Sequence, residues 1–316
     1  MGNEPLVSII MPYYRLGDYL LEAVDSVKKQ THANWELIIV DDCSPENPAR
    51  DLLRDERDER IHVYRHDSNL GTAAARNTAA SKSSGDYLIP LDSDDKIAPD
   101  YVEKTLRASK EADTGAAYTQ VQYFGNSNRI YIPSTDLGKI FSGHFPCNTL
   151  LVKREVFDSV GGYKDLKLVE DTEFWIRIIE AGTKFAFVPE PIYLYRSHEK
   201  GLMSTQQPYV LPNFYRTLLM HHQSVAEHLQ GVLEQWRDHA LSYSVNTKQD
   251  SQQFLSSAEQ YAKEESEYAY LKKEFEILKA RHESLAQRVQ RNEKMLGSLP
   301  LIARQMAFIA LKKLGR

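Results

Sequence analysis

Two cysteines in 316 residues, Cys43 and Cys147, with no CxxC spacing, leave no disulfide framework and no zinc ribbon to be read from the chain. A reduced, cytoplasmic compartment is the expectation. Long apolar runs are missing too. The first, "LVSIIM" (6–11), is short and lacks the basic lead-in of a signal peptide. No uncharged stretch approaches the roughly 20 apolar residues of a membrane-spanning helix. Nor is there a surplus of positive charge: 39 basic residues face 44 acidic ones, a formal −5, so no nucleic-acid partner is expected. Glycine is scarce where a dinucleotide site would need it. "MPYYRLGDY" holds one Gly in place of GxGxxG, which excludes a nicotinamide dehydrogenase. Only Arg15 is basic there, which counts against the phosphate loop of a sugar-phosphate nucleotidyltransferase.

What is present is alternation. "LVSIIM", "WELIIVD" (35–41), "IHVYR" (61–65) and "DYLIPL" (86–91) are short runs rich in β-branched residues and read as strands. Helical patterns lie between them at 18–30, near 49–58 and at 69–83. Strand–helix alternation predicts an α/β fold with a mostly parallel, Rossmann-like sheet flanked by helices, whose ligands sit beyond the carboxyl ends of the strands. Those ends carry Pro12-Tyr13-Tyr14, Asp41-Asp42 and Asp92-Ser93-Asp94. Past residue 100 the pattern loosens. A helix near 99–112, strands at 116–124 and 147–152, a helix from about 171 closed by Gly182, and two last strands, "KFAFVP" and "PIYLYRSH", complete a domain spanning 1–209.

Beyond it the composition shifts, with a helical extension and polar break over 210–250. Phe254, Tyr261, Tyr268, Phe275, His282, Val289 and Leu296 then recur every seven residues, with Leu271, Leu278 and Leu285 between them. This spacing predicts a coiled coil over 251–297, and hence a homo-oligomer, or else a long amphipathic helix lying on the first domain. The tail, 298–316, has basic residues, no acidic ones and an apolar face including Ile302, Met306 and Ile309. Such a helix suits the inner face of a membrane, which would make the protein peripheral, or caps a protein surface.

Three carboxylates in four positions, Asp92, Asp94 and Asp95, follow an apolar run in "IPLDSDDKIAPDY". Oxygen-only ligands on a loop suit a hard cation, Mn²⁺ or Mg²⁺, that keeps phosphate oxygens and waters in its shell. A solvated acidic turn capping the next helix is the plainer alternative.

Taken in order, "VSIIMPYYRLGDYLLEAVDSVKKQTHANWELIIVDDCS", "NLGTAAARNTAASKSSGDYLIPLDSDD" and "GGYKDLKLVEDTEFWIRIIEAG" resemble the family 2 inverting glycosyltransferases of bacterial glycan assembly, which have the GT-A fold. The resemblance covers roughly residues 5–205. It implies a metal-dependent enzyme taking a UDP-sugar donor and a glycan or lipid-linked acceptor. Pro12 and Tyr14 would flank the base, Asp42 would read the uracil N–H, and Asn69 and Arg76 would lie near the nucleotide. Asp92-Ser93-Asp94 would be the DxD element, with Asp94 the direct metal ligand, Asp92 nearer the ribose or the metal's waters, and His198 completing the site. Asp171 would be the catalytic base with Glu170 beside it, although carboxylates opening a helix also serve as caps. Trp175 reads as core. Arg15 departs from the Asn the family often has, and the QxxRW of processive synthases is absent. The rival reading is a non-catalytic scaffold: a degenerate transferase domain on a coiled coil.

Overall fold

The computed structural model describes residues 4–141, 145–166, 169–199 and His222. The chain divides after Gln207, and every described residue but His222 belongs to the first unit. The expected coiled coil and basic tail lie outside the described residues.

Uncharged "VSIIMPY" forms β1 (Val7–Tyr13), buried along its whole length. A strand so apolar belongs inside a sheet covered on both faces. It lies between β2 (Trp35–Asp41) and β4 (Tyr87–Pro90), parallel to both, with β3 (Ile61–Arg65) parallel to β2 on the far side. Register aligns the strand ends: Tyr13 sits opposite Asp41, and Asp41 opposite Arg65. Side-chain alternation then builds two cores. Val7, Ile9, Met11 and Tyr13 face α1 (Gly17–Lys28) and α4 (Tyr101–Glu111). Ile10, Ile38, Val40 and Leu88 meet α3 (Thr72–Lys82), α6 (Arg154–Ser159) and α7 (Glu170–Glu180). The face α3 turns inward is alanine: Ala73, Ala75, Ala79 and Ala80.

The rest of the sheet corrects the mostly parallel expectation. Its order is β3-β2-β1-β4-β8-β6-β9-β5. In it β8 (Leu151–Lys153) runs antiparallel to β4 and to β6 (Ala116–Gly125), and β5 (Lys96–Ile97) antiparallel to β9 (Phe185–Ser197). A short β7 (Ile130–Tyr131) folds back on β6. The two last strands expected are one: β9 runs parallel to β6 with a register shift between Thr119 and Val121. Pro189 and Pro191 fall there, and a proline cannot donate to the ladder, so the strand bulges and continues. The helix expected near 49–58 shrinks to α2 (Ala49–Leu52). Glu56 Oε1 accepts the backbone N–H of Arg57 (2.8 Å) and of Asp58 (2.9 Å), an alternative that competes with helix. A five-residue α5 (Leu137–Phe141) completes the helices among the described residues.

Candidate active site

The carboxylates after β4 divide into three tasks. Asp95 turns inward and is 1% exposed. It accepts the Tyr193 hydroxyl and, at 2.7 Å, the backbone N–H of Arg196. Burial, with Asp94 and Asp92 beside it, pushes its pKa well above the usual range. Arg196 secures the turn from its own side, donating Nε to the Asp94 carbonyl at 2.7 Å while its guanidinium lies over the Tyr19 and Phe124 rings. Asp95 is therefore a fastener between the turn and β9. Asp92 receives Arg76 Nη2 at 2.7 Å and Asn148 Nδ2 at 3.3 Å on one oxygen. Asp94 points to His198, with Oδ2 3.0 Å from Nε2.

That last spacing bears on a cation. Asp94 Oδ2 and His198 Nε2, already in contact, would offer a hard divalent ion one oxygen and one nitrogen ligand. The other ring nitrogen of His198 is buried without a partner. Among the described residues no group of three or more His, Cys, Asp and Glu side chains gathers into a metal cage. The pair thus fits a hard ion that draws its remaining ligands from phosphate and water.

At the ends of β1 and β2 the two adjacent aspartates differ. Asp41, 1% exposed, organises its own loop: it accepts from Ser44 N–H (2.7 Å), Ala49 N–H (3.0 Å) and Arg65 Nη1 (2.6 Å). Asp42 accepts the backbone N–H groups of Leu70 and Gly71, each at 2.8 Å, and its Oδ1 lies 2.7 Å from His66 Nδ1. A carboxylate offers about four acceptor positions, of which these partners take three, and Asp42 itself is 4% exposed. Exposed Asn69 precedes those two amides. Pro12 is buried within β1, opposite Val40. Tyr14 is 38% exposed, with the Arg15 guanidinium 4.9 Å from its ring centre. Arg15 has φ of 68°, and its N–H donates to Ser44 Oγ at 3.1 Å. That φ is in the left-handed region, which Asn adopts more readily than most side chains. Ser93 is buried in the turn.

The second carboxylate pair opens α7. Glu170 receives Arg76 Nη1 at 2.8 Å. Asp171 accepts the N–H of Thr172 at 2.6 Å. Burial, then the Glu170 charge, raises the Asp171 carboxyl to about 7, against the opposing pull of Arg76 and the Thr172 N–H. Cys147 lies near enough to Asp171 and Asp95 that their charges, added to burial, push its thiol up. Trp175 is fully buried, as expected of a core residue. The helix itself is held firmly: Glu173, with no exposed side-chain surface, pairs with Lys164 and Arg177 at 2.8 Å each.

Sequence reasoning missed His66, Asn148, Tyr163 and Arg196. His66 directly follows the last residue of β3, the same strand-end position that flagged the aspartates. Asn148 falls in "SGHFPCNTLL", a segment marked for acceptor choice but without a named residue. Nothing local marks Tyr163 or Arg196.

Comparison with known proteins shows the family and the fold. The model of "Glycosyl transferase family 2" matches residues 8–164. TuaG of Bacillus subtilis (strain 168), named for teichuronic acid biosynthesis, is 32% identical over 212 residues, 64% of this chain and 83% of its own. The glycosyltransferase GlyG of Streptococcus pneumoniae is 28% identical over 64% of this chain and 74% of its own. Among solved structures, TarS 1–349 of S. aureus in complex with UDP-GlcNAc superposes with a TM-score of 0.60 at 18% identity, covering 79% of this chain and 78% of that one. The mannosyltransferase PcManGT of Pyrobaculum calidifontis, in complex with GDP-Man and Mn²⁺, gives 0.55 at 14% identity over 85% and 83%. These structural likenesses establish the fold.

Proposed function

The chain belongs to glycosyl transferase family 2 and is a glycosyltransferase, and from that premise we propose a specific reaction. A sugar passes from a UDP-sugar to a hydroxyl of a glycan or lipid-linked acceptor, with inversion at the anomeric carbon. Asp171 is the general base. Asp94 and His198 hold Mn²⁺ or Mg²⁺. One observation carries the reading: a single guanidinium, Arg76, bonds both Asp92 of the DxD turn and Glu170 at the head of α7. Donor-side and acceptor-side carboxylates are thereby brought to one place at the carboxyl edge of the sheet.

The chemistry follows from where the protons and charges sit. A base for a sugar hydroxyl works best with a pKa near the working pH, and burial has lifted Asp171 to about 7. Asp171 accepts the hydroxyl proton as the oxygen attacks the anomeric carbon from the face opposite the leaving diphosphate. A divalent cation at Asp94 and His198 supplies positive charge for that diphosphate. The remaining acceptor capacity of Asp42, whose two bonded amides follow exposed Asn69, suits the N–H of a uracil ring. TarS was solved with UDP-GlcNAc, which supports the donor class.

Calorimetry of UDP binding tests the donor half. Mn²⁺ should strengthen binding at least ten-fold over EDTA, an advantage that Asp94→Ala removes, in line with losing one direct ligand. Equal affinity with and without metal refutes the metal assignment. A UDP-sugar hydrolysis assay that releases no UDP under any donor favours the scaffold reading instead.

For the C-terminal third, the heptads over 251–297 support a homo-oligomer, and the acid-free tail over 298–316 supports attachment to the cytoplasmic face of a membrane. Several weak tails on one oligomer reinforce each other. Among the described residues no helix is long and apolar enough to cross a membrane. Truncation at residue 250 should yield a monomer by light scattering that no longer sediments with anionic liposomes. Unchanged mass, or no sedimentation of the intact chain, overturns the respective half.

A further inference from the structure

Arg76 carries a charge yet is 3% exposed. Such burial is costly unless the charge is paired and its hydrogen bonds are used. Both terminal nitrogens are committed, to Asp92 at 2.7 Å and Glu170 at 2.8 Å, and Nε is buried without a partner. With the residue 3% exposed, the guanidinium turns its charge to these two carboxylates and hardly meets solvent. The surroundings close a circuit instead. The guanidinium lies 5.2 Å from the centre of the Tyr163 ring. The Tyr163 hydroxyl donates to Asn148 Oδ1 at 3.2 Å, and Asn148 Nδ2 returns to Asp92. Asn77, next along α3, donates to the Tyr163 carbonyl at 2.7 Å and accepts its N–H at 2.8 Å.

We propose that Arg76 is a positioning residue for the base, tying the head of α7 to the DxD turn, and is not a ligand of the nucleotide. The inference rests on Asp171 being that base. It differs from what the "AAARN" motif suggested, which was proximity to the donor.

The charges facing Asp171 can be named element by element. Glu170 stands beside it on α7, Arg76 comes from α3, and Asp92 comes from the turn after β4. Cys147 comes from the segment before β8, and Tyr163 from the loop between α6 and α7. Three carboxylates therefore share one cation. Without Arg76, Asp171 would hold its proton to higher pH and α7 would lose its link to the DxD turn. Without the Glu170 charge, the proton would leave earlier.

The test is the pH profile of transfer with a saturating UDP-sugar and Mn²⁺, measured for wild type, Arg76→Gln, Arg76→Lys and Glu170→Gln, with UDP binding by calorimetry at pH 8. Arg76→Gln should move the acid limb of kcat upward by about one pH unit, as loss of a neighbouring opposite charge does. At pH 7 its kcat should fall at least about five-fold, while UDP affinity changes by less than about three-fold, because a base acts after the donor is bound. Arg76→Lys should restore part of the shift. Glu170→Gln, which keeps an oxygen for Arg76, should move the limb down, and this opposite sign stands even if Arg76→Gln fails to fold. An unshifted limb in both Glu170→Gln and Arg76→Gln, or in Glu170→Gln alone where Arg76→Gln does not fold, or a collapse of UDP affinity matching the loss of kcat, overturns the proposal. The control is Asp171→Asn. If it retains transfer, the base assignment falls and this inference with it; if it is inactive and the limbs do not move, this inference alone falls.

Discussion

Replacing Asp171 by Asn should abolish transfer and make the protein more stable, and the gain should depend on pH in one direction. A carboxyl raised from 3.8 to about 7 in the folded chain is penalised whenever it is ionised there. In the unfolded chain it loses its proton near 3.8. Between those values the folded state holds the extra proton, so stability falls as pH rises, and above about 7 the loss is complete. Three pKa units at about 1.4 kcal/mol each set a ceiling of about 4 kcal/mol. Asp171 keeps a partial opening to solvent, which screens the charge and brings the expectation to about 2 kcal/mol. Asn keeps the Oδ1 that accepts the Thr172 N–H, so that bond need not be lost. For a domain of this size about 2 kcal/mol is about 4–8 °C in Tm. Scanning calorimetry of both proteins from pH 4 to 8.5 should give curves that coincide near pH 4, diverge toward pH 7 and stay apart beyond it. Transfer at pH 7.5 should fall at least about 100-fold in the same variant. A variant less stable than wild type at pH 8, or a gain independent of pH, refutes the account of Asp171 as a carboxylate held against its own charge.

Gly161 and Gly162 both have positive φ, but only at Gly162 would an added Cβ press on a neighbour, Asn77 Oδ1 at 2.6 Å. Gly161→Ala should cost about 1 kcal/mol by urea denaturation, and Gly162→Ala about 2–3, because it also displaces the side chain that pairs with the Tyr163 backbone; equal losses would remove the close-approach argument. Proton NMR of the product linkage should show the anomeric configuration inverted relative to the donor, and retention would count against in-line attack assisted by Asp171. Asp95→Asn should weaken Mn²⁺-dependent UDP binding even though Asp95 faces away from the ligand, since it fixes the turn against β9; unchanged metal dependence would reduce Asp95 to a packing role.

Some of this molecule is written locally. Apolar runs such as "LVSIIM" and "WELIIVD" can satisfy their side chains only inside a covered sheet, and their spacing with helical stretches made β1 to β4 and α1, α3 and α4 legible from composition and period. The acidic residues at strand ends were legible for the same reason, because register carries consecutive parallel strands to a common edge. Period says nothing about partners far along the chain. Whether Asp92, Asp94 or Asp95 turns outward depends on Arg76, His198 and Tyr193, which lie 16, 104 and 98 residues away. The parallel pairing of β9 with β6, and its continuation past two prolines, depends likewise on a bulge that no local pattern specifies. The sequence by itself determined which side chains could do chemistry and roughly where along the fold they stand. Tertiary structure alone decided their roles, because a carboxylate's role follows from the donors and charges around it. Here those arrive from distant segments, as when Arg76 reaches across 94 residues to Glu170 and shares one charge among three acids.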